Sequence, residues 1–483
     1  MYPANGRRPS VPYARIYAMT SGNFNLPDDL LHAVAERTGR IALVVGAGCS
    51  LEPPTSLELS STYAQQIHER LLIDGVLEAG DCEDPTDLSA VASAVYARRH
   101  SQSEVVTRLP GNRFRNAQAN DGYLAAAALM REGAVSVILS LNFDLAMTHA
   151  LTELSADEVA VIAGPLATAN LGSFVVVYLH RNVNEQDPEA WILRVEALQD
   201  EWQGHWEEVL SQRVMSSPVV VFAGLGSPAA VLTDSVKWIR ERLNPDQHKT
   251  YVVDPAVATK FKEALNLPDE AQIQSGWCAF MLSMSGRLAR ELQIALRDAC
   301  FALCDAHSWN GERPHADTLA KAFFESGLVA SGKARARWLM KNESYTPDND
   351  EGRAFIADLL LGIGLVQRHS QADLIMRRDA VVEFRKDGRV LGSCLPTSGA
   401  GVLRWTAMEP RVVEMIDKFL AHEKPDGVLI SGMLGTRPAD VGPPEDVAYG
   451  NAEADITTGP VGPHYVTVEE LRADPTSIER LAS

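Results

Sequence analysis

The sequence has no uninterrupted apolar run that approaches the ~18–20 residues of a membrane-spanning helix. Six cysteines in 483 residues are too few for a disulfide scaffold. A Walker A sequence and a zinc ribbon of paired CxxC motifs are both absent. Basic residues are scarce, since 44 Lys and Arg stand against 63 Asp and Glu and give a net charge of −19 with neutral histidines. This balance argues against a nucleic-acid coat or a basic membrane binder.

The composition that is present, with 46% hydrophobic and 22% charged residues, excludes a mainly disordered or fibrous chain. At roughly 150 residues per domain, 483 residues correspond to two to four domains. Residues 1–25 hold three arginines, no acid and no apolar signal-peptide segment. We therefore expect a flexible N-terminal tail there, with Met19 as an alternative start.

Residues 26–275 alternate short apolar runs with amphipathic segments, which predicts βαβ units in one domain. The apolar runs suit the strands of a parallel sheet with helices on both faces, because such strands are buried on both sides. The predicted strands are residues 41–45, 135–139, 159–162, 174–179, 219–223 and 250–253. The predicted helices are residues 28–36, 58–72, 88–99, 124–131 and 229–243.

Residues 276–483 follow a different rhythm, which predicts a mixed helical and α+β region with a regulatory or assembly role. Lys386-Asp387-Gly388 is a turn signal between hairpin strands at 381–384 and 390–391. A further strand is predicted at 427–431, and the Gly-, Pro- and acid-rich residues 432–464 are predicted to be irregular. The predicted helices are residues 282–306, 316–324, 334–340, 355–366 and 412–420.

Ligands of open parallel sheets bind beyond the carboxyl ends of the strands, so the residues after each predicted strand are the functional candidates. Gly46-Ala47-Gly48-Cys49-Ser50 directly follows the first strand. Glycines let backbone N–H groups approach a phosphate closely. Leu51 stands where the full dinucleotide fingerprint has its third glycine. The motif fits either a phosphate-binding turn or only a tight turn.

Asn142 and Asp144 follow the strand at 135–139. They are two residues apart, so in an extended segment both side chains face the same side and can reach one ligand. Asp144 equally fits the N-cap of a helix.

His180 follows the strand at 174–179. An imidazole titrates near neutral pH, which suits a general base. A structural role stays open as well, because twelve histidines make chance placement easy.

A second glycine-rich turn, Gly224-Leu225-Gly226-Ser227, follows the strand at 219–223. Asp254 directly follows the strand at 250–253, where an acid is placed to accept ribose hydroxyls. Two glycine turns on one sheet suit a ligand with a pyrophosphate and two riboses.

The cysteines do not form a metal-site pattern. Cys300 and Cys304 lie four residues apart on a predicted helix, and Cys82, Cys278 and Cys394 are scattered. We interpret them as core residues and expect no metal.

Taken in order, these motifs resemble the sirtuin-type NAD-binding fold over about residues 30–260. The family opens with Gly-Ala-Gly-x-Ser, matched by Gly46, Ala47, Gly48 and Ser50, and its Asn-x-Asp motif is matched by Asn142 and Asp144. Its catalytic histidine is similar to His180, its later Gly-x-x-Ser turn to Gly224 and Ser227, and its ribose-binding strand end to Asp254. The resemblance implies a Rossmann-like α/β domain that binds NAD as a substrate.

Two departures from the family bear on function. Arg181 follows His180 where the family usually has glycine, and Leu141 precedes Asn142 where protein-deacylating members often have a polar residue. The zinc ribbon of those deacylases is missing. The chain is therefore more similar to the sirtuin-like NADase effectors of bacterial anti-phage defence. That resemblance implies that Asn142 and His180 are catalytic and that the other matched residues bind NAD.

Two further functions stay open, namely an NAD-dependent protein deacylase and a non-catalytic sensor of NAD or ADP-ribose. The resemblance implies a homo-oligomer or a partner protein of a defence system, such as a hexameric ATPase or an argonaute. We expect a cytoplasmic protein, with no membrane contact and no direct binding of nucleic acid.

Overall fold

A computed structural model of the protein describes residues 25–164, 172–194, 206–226, 237, 248–256, 259–339, 350–377, 379–398, 410, 412–417, 420, 424–431, 464–474 and 476–477. The chain divides into two compact units, residues 1–288 and 289–483. Over the described ranges, every helix is too short or too polar to cross a membrane.

The first unit is built on a seven-stranded parallel sheet with the strand order β3-β4-β2-β1-β5-β6-β7. All five residues of β1 are buried, and so are all five of β5, as expected of strands covered on both faces. The predicted α/β fold class with a parallel sheet is confirmed. The strands are β1 (Ile41–Val45), β2 (Val135–Ser140), β3 (Ala160–Ile162), β4 (Val175–Tyr178), β5 (Val219–Ala223), β6 (Lys249–Asp254) and β7 (Gln272–Gln274).

The helices of this unit follow the predicted order, and those at residues 28–36 and 88–99 have their predicted bounds. They are α1 (Asp28–Glu36), α2 (Ser60–Ile73), α3 (Leu88–Arg99), α4 (Ser103–Val106), α5 (Gly111–Arg115), α6 (Asp121–Arg131), α7 (Ala146–Glu153), α8 (Trp206–Met215) and α9 (Thr259–Leu265). Helix α6 begins three residues before its predicted start, because the Asn120 side chain accepts the backbone N–H of Tyr123 and caps the helix there. The predicted helix at 229–243 falls on residues that the structure leaves undescribed, apart from Lys237.

The order of the strands creates a switch point between β1 and β5. From β1 the chain moves to β2, β3 and β4 on one side, and it then returns to β5 on the other side of β1. Connections that leave two neighbouring strands in opposite directions open a crevice at their carboxyl ends, which is where ligands of such sheets bind. Both glycine-rich turns follow these two strands.

The second unit holds a five-stranded mixed sheet with the order β12-β11-β10-β9-β8. Its strands are β8 (Asp373–Met376), β9 (Val382–Lys386), β10 (Arg389–Ser398), β11 (Gly427–Ser431) and β12 (His464–Thr467). Strands β8, β9 and β10 are antiparallel, whereas β10, β11 and β12 are parallel. Apolar residues of β10 and β11 pack with three later residues in one core, which comprises Val381, Leu395, Val412, Ile416, Leu420, Val428 and Ile430.

The predicted hairpin is confirmed, because Asp387 and Gly388 have φ angles of 52° and 78° and join β9 to β10. The edge strand β8 was not predicted from the sequence, since it is only four residues long and half exposed. The helices are α10 (Trp277–His307), within which the two units divide, α11 (Ala316–Glu325), α12 (Gly327–Trp338), α13 (Asp350–Ser370) and α14 (Val468–Ala473). Of the segment predicted to be irregular, residues 432–463 lie outside the described residues.

Candidate functional site

Backbone hydrogen bonds continue past the strand ends and set the four sequence motifs side by side. The N–H of Leu179 donates to the Ser140 carbonyl at 2.9 Å, and the N–H of Leu141 donates to the Val45 carbonyl at 2.9 Å. On the other side of β1, the Gly46 N–H donates to the Ala223 carbonyl at 3.0 Å. The residues that follow β4, β2, β1 and β5 therefore form one row along the carboxyl edge of the sheet.

The two glycine-rich turns are in direct contact with each other. The N–H of Gly48 donates to the carbonyl of Gly224 at 2.8 Å, and Gly224 has a left-handed φ of 66°. A Cβ atom at Gly46 would lie 2.7 Å from the Gly224 oxygen, and one at Gly48 would lie 2.7 Å from the Gly224 Cα. Glycine is needed at these positions because the two backbones touch. The N–H groups of Gly46 and Gly48 both donate hydrogen bonds to carbonyl oxygens of the protein.

A buried polar cluster joins the first glycine turn to the asparagine motif; its members are Ser50, Tyr123, Asn142 and Asp144. The Ser50 hydroxyl donates to Asp144 Oδ2 at 2.8 Å and lies 2.8 Å from the Tyr123 oxygen. Asn142 Nδ2 donates to the Tyr123 oxygen at 3.0 Å and to the Ser50 oxygen at 3.3 Å. Asn142 and Asp144 thus face the same side, as their spacing predicts.

The Asn142 side chain is oriented by the oxygens around its nitrogen. Besides the two hydroxyl oxygens, Nδ2 donates to the Gly46 carbonyl at 3.0 Å. Because three oxygen atoms, among them a carbonyl oxygen, surround this end of the side chain, it must be the donating amide nitrogen and not the amide oxygen.

Asp144 bonds to the first turn of α7 as well as joining the cluster. Its Oδ1 accepts the backbone N–H of Ala146 at 2.9 Å, where α7 begins. Burial raises the pKa of Asp144, while the hydrogen bonds from Ala146 and Ser50 lower it. Leu145 stands at the N-cap position of α7, and both carboxylate oxygens of Asp144 accept hydrogen bonds.

Tyr123 is a member of the site that the sequence did not reveal. Its position depends on Asn120, which caps α6 and whose Nδ2 donates to the Cys49 carbonyl at 2.8 Å. Burial raises the pKa of Tyr123 well above its usual range, so the phenol stays protonated. The available signal was the asparagine three residues earlier, which would have extended the predicted helix to include Tyr123.

His180 lies at the other end of the row, next to the asparagine motif. The imidazole is hydrogen-bonded to the backbone of Leu141, and its ring centroid is 6.5 Å from that of Phe143. Burial lowers the pKa of His180 to about 4, and the positive charge of Arg181 acts in the same direction. The imidazole is therefore neutral at pH 7, which is the form that accepts a proton.

Arg181 adopts the backbone conformation of a glycine. Its φ angle is 74°, in the left-handed region that residues with a Cβ rarely occupy. A glycine would adopt this backbone conformation without strain.

The remaining predicted positions are less closely tied to the cluster. Asp254 ends β6 beside β5, and its Oδ1 accepts the N–H of Ala256 at 2.8 Å. Ala47 lies between the two glycines and is partly exposed. Ser227 lies outside the residues that the structure describes. Among the described residues, no group of three or more His, Cys, Asp or Glu side chains is placed to hold a metal ion.

Comparison with known proteins gives similarity only at the level of solved structures. No protein-family model matches the sequence, and no curated protein matches it. A structure described under the mechanism and regulation of Sir2 enzymes is 14% identical, with a TM-score of 0.32, over 55% of this chain and 98% of that chain. A Sir2 homologue in complex with NAD is 16% identical, with a TM-score of 0.32, over 54% of this chain and 93% of that chain. A variant Sir2 homologue in complex with ADP-ribose is 15% identical, with a TM-score of 0.33, over 55% of this chain and 98% of that chain.

Proposed function

We propose that the protein hydrolyses NAD to nicotinamide and ADP-ribose. The observation that carries this proposal is the row of four motifs at one sheet edge. In that row the serine of the Gly-Ala-Gly-x-Ser turn is hydrogen-bonded to the Asn-x-Asp motif, and a neutral histidine follows the next strand. The sirtuin resemblance assigns these same positions to NAD.

The reaction requires that the ribose and a water molecule are held in place and that one group accepts a proton. The bond between nicotinamide and C1′ of the ribose breaks with its electron pair on the neutral leaving group, through an oxocarbenium-like transition state. A water oxygen then bonds to C1′ and gives up a proton. A positioned general base typically contributes ~10²–10⁴-fold to such a step, and holding the ribose and water in place supplies much of the rest.

His180 and Asn142 are the catalytic residues in this proposal. The neutral imidazole of His180 takes the proton of the attacking water. The carbonyl oxygen of Asn142 orients that water or a ribose hydroxyl, because its side-chain nitrogen donates to Gly46 and to the cluster hydroxyls.

Asp144 is proposed to bind the carboxamide of nicotinamide. Both of its oxygens are already hydrogen-bonded, so this contact would replace the bond from Ser50 while the bond to Ala146 stays in place.

The phosphates and the second ribose are assigned to the glycine turns and Asp254. Ala47 begins the short helix Ala47–Ser50, and the first N–H groups of a helix have no acceptor within it. We therefore assign the phosphate contact of the first turn to Ala47 rather than to Gly46 or Gly48. In the second turn, no atom of the residues that the structure describes lies within 4 Å of a Cβ built at Gly226, and we assign a ligand contact to its backbone. Ser227 and Asp254 complete this part of the proposed site.

One assay separates the proposed function from its alternatives. Nicotinamide release from NAD is measured with the purified protein, alone and with the products of neighbouring genes, and in each case with and without an acetylated peptide. Release without peptide supports hydrolysis, and release that requires peptide would show a deacylase. Binding of NAD without turnover would show a sensor.

We also propose that the activity serves anti-phage defence by depleting NAD upon activation in the cytoplasm. Constant NAD hydrolysis would kill the host cell, so a partner protein or an assembly state must control it. Residues 289–483 carry helices and a mixed sheet without a recognisable catalytic cluster in their sequence, and we assign the control to this unit.

A further inference from the structure

The long helix α10 begins at the carboxyl edge of the parallel sheet, close to the first glycine turn. The edge strand β7 ends at Gln274, and α10 starts three residues later at Trp277. Oε1 of Glu52 accepts the backbone N–H of Cys278 at 3.0 Å. A carboxylate suits this end of a helix, because the first N–H groups have no acceptor within the helix. Glu52 comes two residues after Ser50, so the loop that follows the glycine turn holds the first turn of α10.

A second set of contacts joins the start of α10 to the start of α6. The N–H of Gly122 donates to Sγ of Cys278 at 3.3 Å. A Cβ atom at Gly122 would lie 2.3 Å from Nε1 of Trp277. The indole can therefore lie against α6 because residue 122 has no side chain.

The indole of Trp277 packs on the ring of Tyr123. Their centroids are 5.7 Å apart and their planes are inclined by 61°, which is an edge-to-face arrangement that aromatic pairs favour. Both side chains are buried, with 4% of Trp277 and 1% of Tyr123 exposed. Among the described residues, Nε1 of Trp277 has no hydrogen-bond partner. A buried N–H without an acceptor costs free energy, so what Trp277 contributes is the contact of its ring.

The other end of the Tyr123 side chain belongs to the buried polar cluster. Its oxygen accepts a hydrogen bond from Nδ2 of Asn142 at 3.0 Å and lies 2.8 Å from the Ser50 hydroxyl oxygen. A phenol is rigid, so its oxygen cannot move unless the ring moves with it. The position of the ring therefore sets one of the three oxygens that surround the Asn142 nitrogen.

We propose that Trp277 is a positioning residue of the NAD site, whose indole holds the Tyr123 ring where the phenol oxygen accepts the Asn142 amide. The inference rests on the proposed NAD hydrolysis, in which Asn142 orients the water or a ribose hydroxyl. Trp277 touches no reacting atom and acts through Tyr123. Loss of its ring should loosen the Asn142 amide, which slows cleavage more than it weakens NAD binding.

The first test follows the Asn142 amide in the absence of NAD. In protein that contains isotopically labelled asparagine, NMR measures how fast the Nδ2 protons exchange with water, and the Asn142 signal is identified by its loss in Asn142→Ala. Trp277→Leu should speed this exchange by roughly 5-fold or more, and so should Tyr123→Phe, which removes only the hydroxyl. Trp277→Phe keeps an aromatic ring beside Tyr123 and should exchange at nearly the wild-type rate.

Two further variants control this measurement. Trp338 is as deeply buried as Trp277 and lies in the second unit, so Trp338→Leu should lower stability without changing the exchange of Asn142. Gly122→Ala keeps the indole but places a Cβ close to its Nε1, so the ring should be displaced and the exchange should rise as in Trp277→Leu. Gly122→Ala carries the test if Trp277→Leu fails to fold.

The second test is the turnover of NAD. Trp277→Leu and Tyr123→Phe should each lower kcat by about 10-fold, with KM within about twofold of wild type. Because Trp277 acts through the Tyr123 hydroxyl, the double variant should be no slower than the slower single variant. Effects that multiply to about 100-fold in the double variant would show that the two residues act independently.

The outcomes separate this inference from the proposed function. Wild-type exchange of the Asn142 amide in folded Trp277→Leu and Gly122→Ala proteins would overturn the positioning role, and so would effects on kcat that multiply. If wild type releases no nicotinamide, the proposed hydrolysis fails, and the exchange measurement still decides whether Trp277 positions Asn142.

Discussion

The side-chain nitrogen of Asn142 donates to the carbonyl oxygen of Gly46 at 3.0 Å, so the motif after β2 is tied to the glycine turn after β1. This bond crosses between neighbouring strands at their carboxyl ends. The variants below test what this arrangement does.

Asn142→Ala should abolish most NAD cleavage, by at least ~10²-fold, because the water or ribose hydroxyl loses the oxygen that orients it. Loss of the buried amide also leaves the Gly46 carbonyl without this donor, at a cost of about 1–3 kcal/mol. Nicotinamide release and thermal unfolding measure the two effects. Asn116→Ala, at an exposed asparagine, is the control. Full activity in a folded Asn142→Ala protein would refute the mechanism.

His180→Gln should abolish most cleavage and also change how stability depends on pH. The unfolded imidazole has a pKa of 6.5 and the folded one about 4, so the unfolded chain binds more protons between these values. Keeping His180 neutral therefore lowers the free energy of unfolding at acidic pH. This loss of stability is absent above pH 6.5 and grows as the pH falls to 4, to roughly 3 kcal/mol at most. When urea unfolding is measured from pH 7 down to pH 4, the free energy of unfolding should therefore fall less in His180→Gln than in wild type. An equal loss in both, with exposed His369→Gln as the control, would show that burial does not depress this pKa.

Gly48→Ala should destabilise the protein by about 1–3 kcal/mol and weaken NAD binding with it, because the new Cβ would meet the Gly224 backbone. Gly226→Ala should leave the unfolding temperature unchanged, since no described residue lies within 4 Å of a Cβ built at that position. A bulkier Gly226→Val should lower NAD affinity with the fold intact. Calorimetric unfolding and NAD titration measure both, with Gly311→Ala as a control in open space. A wild-type unfolding temperature and affinity in Gly48→Val would show that the contact between the turns does not constrain this position.

Arg181→Gly should be nearly neutral for stability. It removes a left-handed cost of about 1–2 kcal/mol, while glycine adds about 0.5–1 kcal/mol of backbone entropy to the unfolded chain. Arg181→Val should be clearly destabilising, because a β-branched side chain tolerates this backbone poorly. The pKa of His180 should also rise in both variants, as the neighbouring positive charge is lost. If Arg181→Val unfolds at the wild-type temperature, the backbone at 181 is not constrained.

The full-length protein alone should turn over NAD slowly, because the proposed control by residues 289–483 keeps it inactive until a partner or an assembly state changes it. Size measurement and nicotinamide release are compared with and without the products of neighbouring genes. Full turnover by the isolated protein, with no change upon their addition, would contradict this control.

Much of the site could be predicted from short segments of sequence. The unbroken apolar runs at 41–45 and 219–223 predict buried parallel strands, and Asp387-Gly388 predicts a hairpin; both are observed. The spacing of Asn142 and Asp144 predicts a shared side, and they share the Ser50 hydroxyl. These predictions hold because periodicity and turn chemistry act within a few residues.

The tertiary structure decided which segments meet. Ser50 and Tyr123 are 73 residues apart, and the Cys49 thiol lies against the Ala223 carbonyl, 174 residues away. Gln102 holds the segment of Trp191 in the same way, from 89 residues away. No local pattern encodes such pairs, because they follow from β1 lying between β2 and β5 in the sheet. Strand order is set by the summed packing of the whole unit. It places β1 beside β5, and the glycines whose local pattern suggested a phosphate site therefore also lie where the two turns touch.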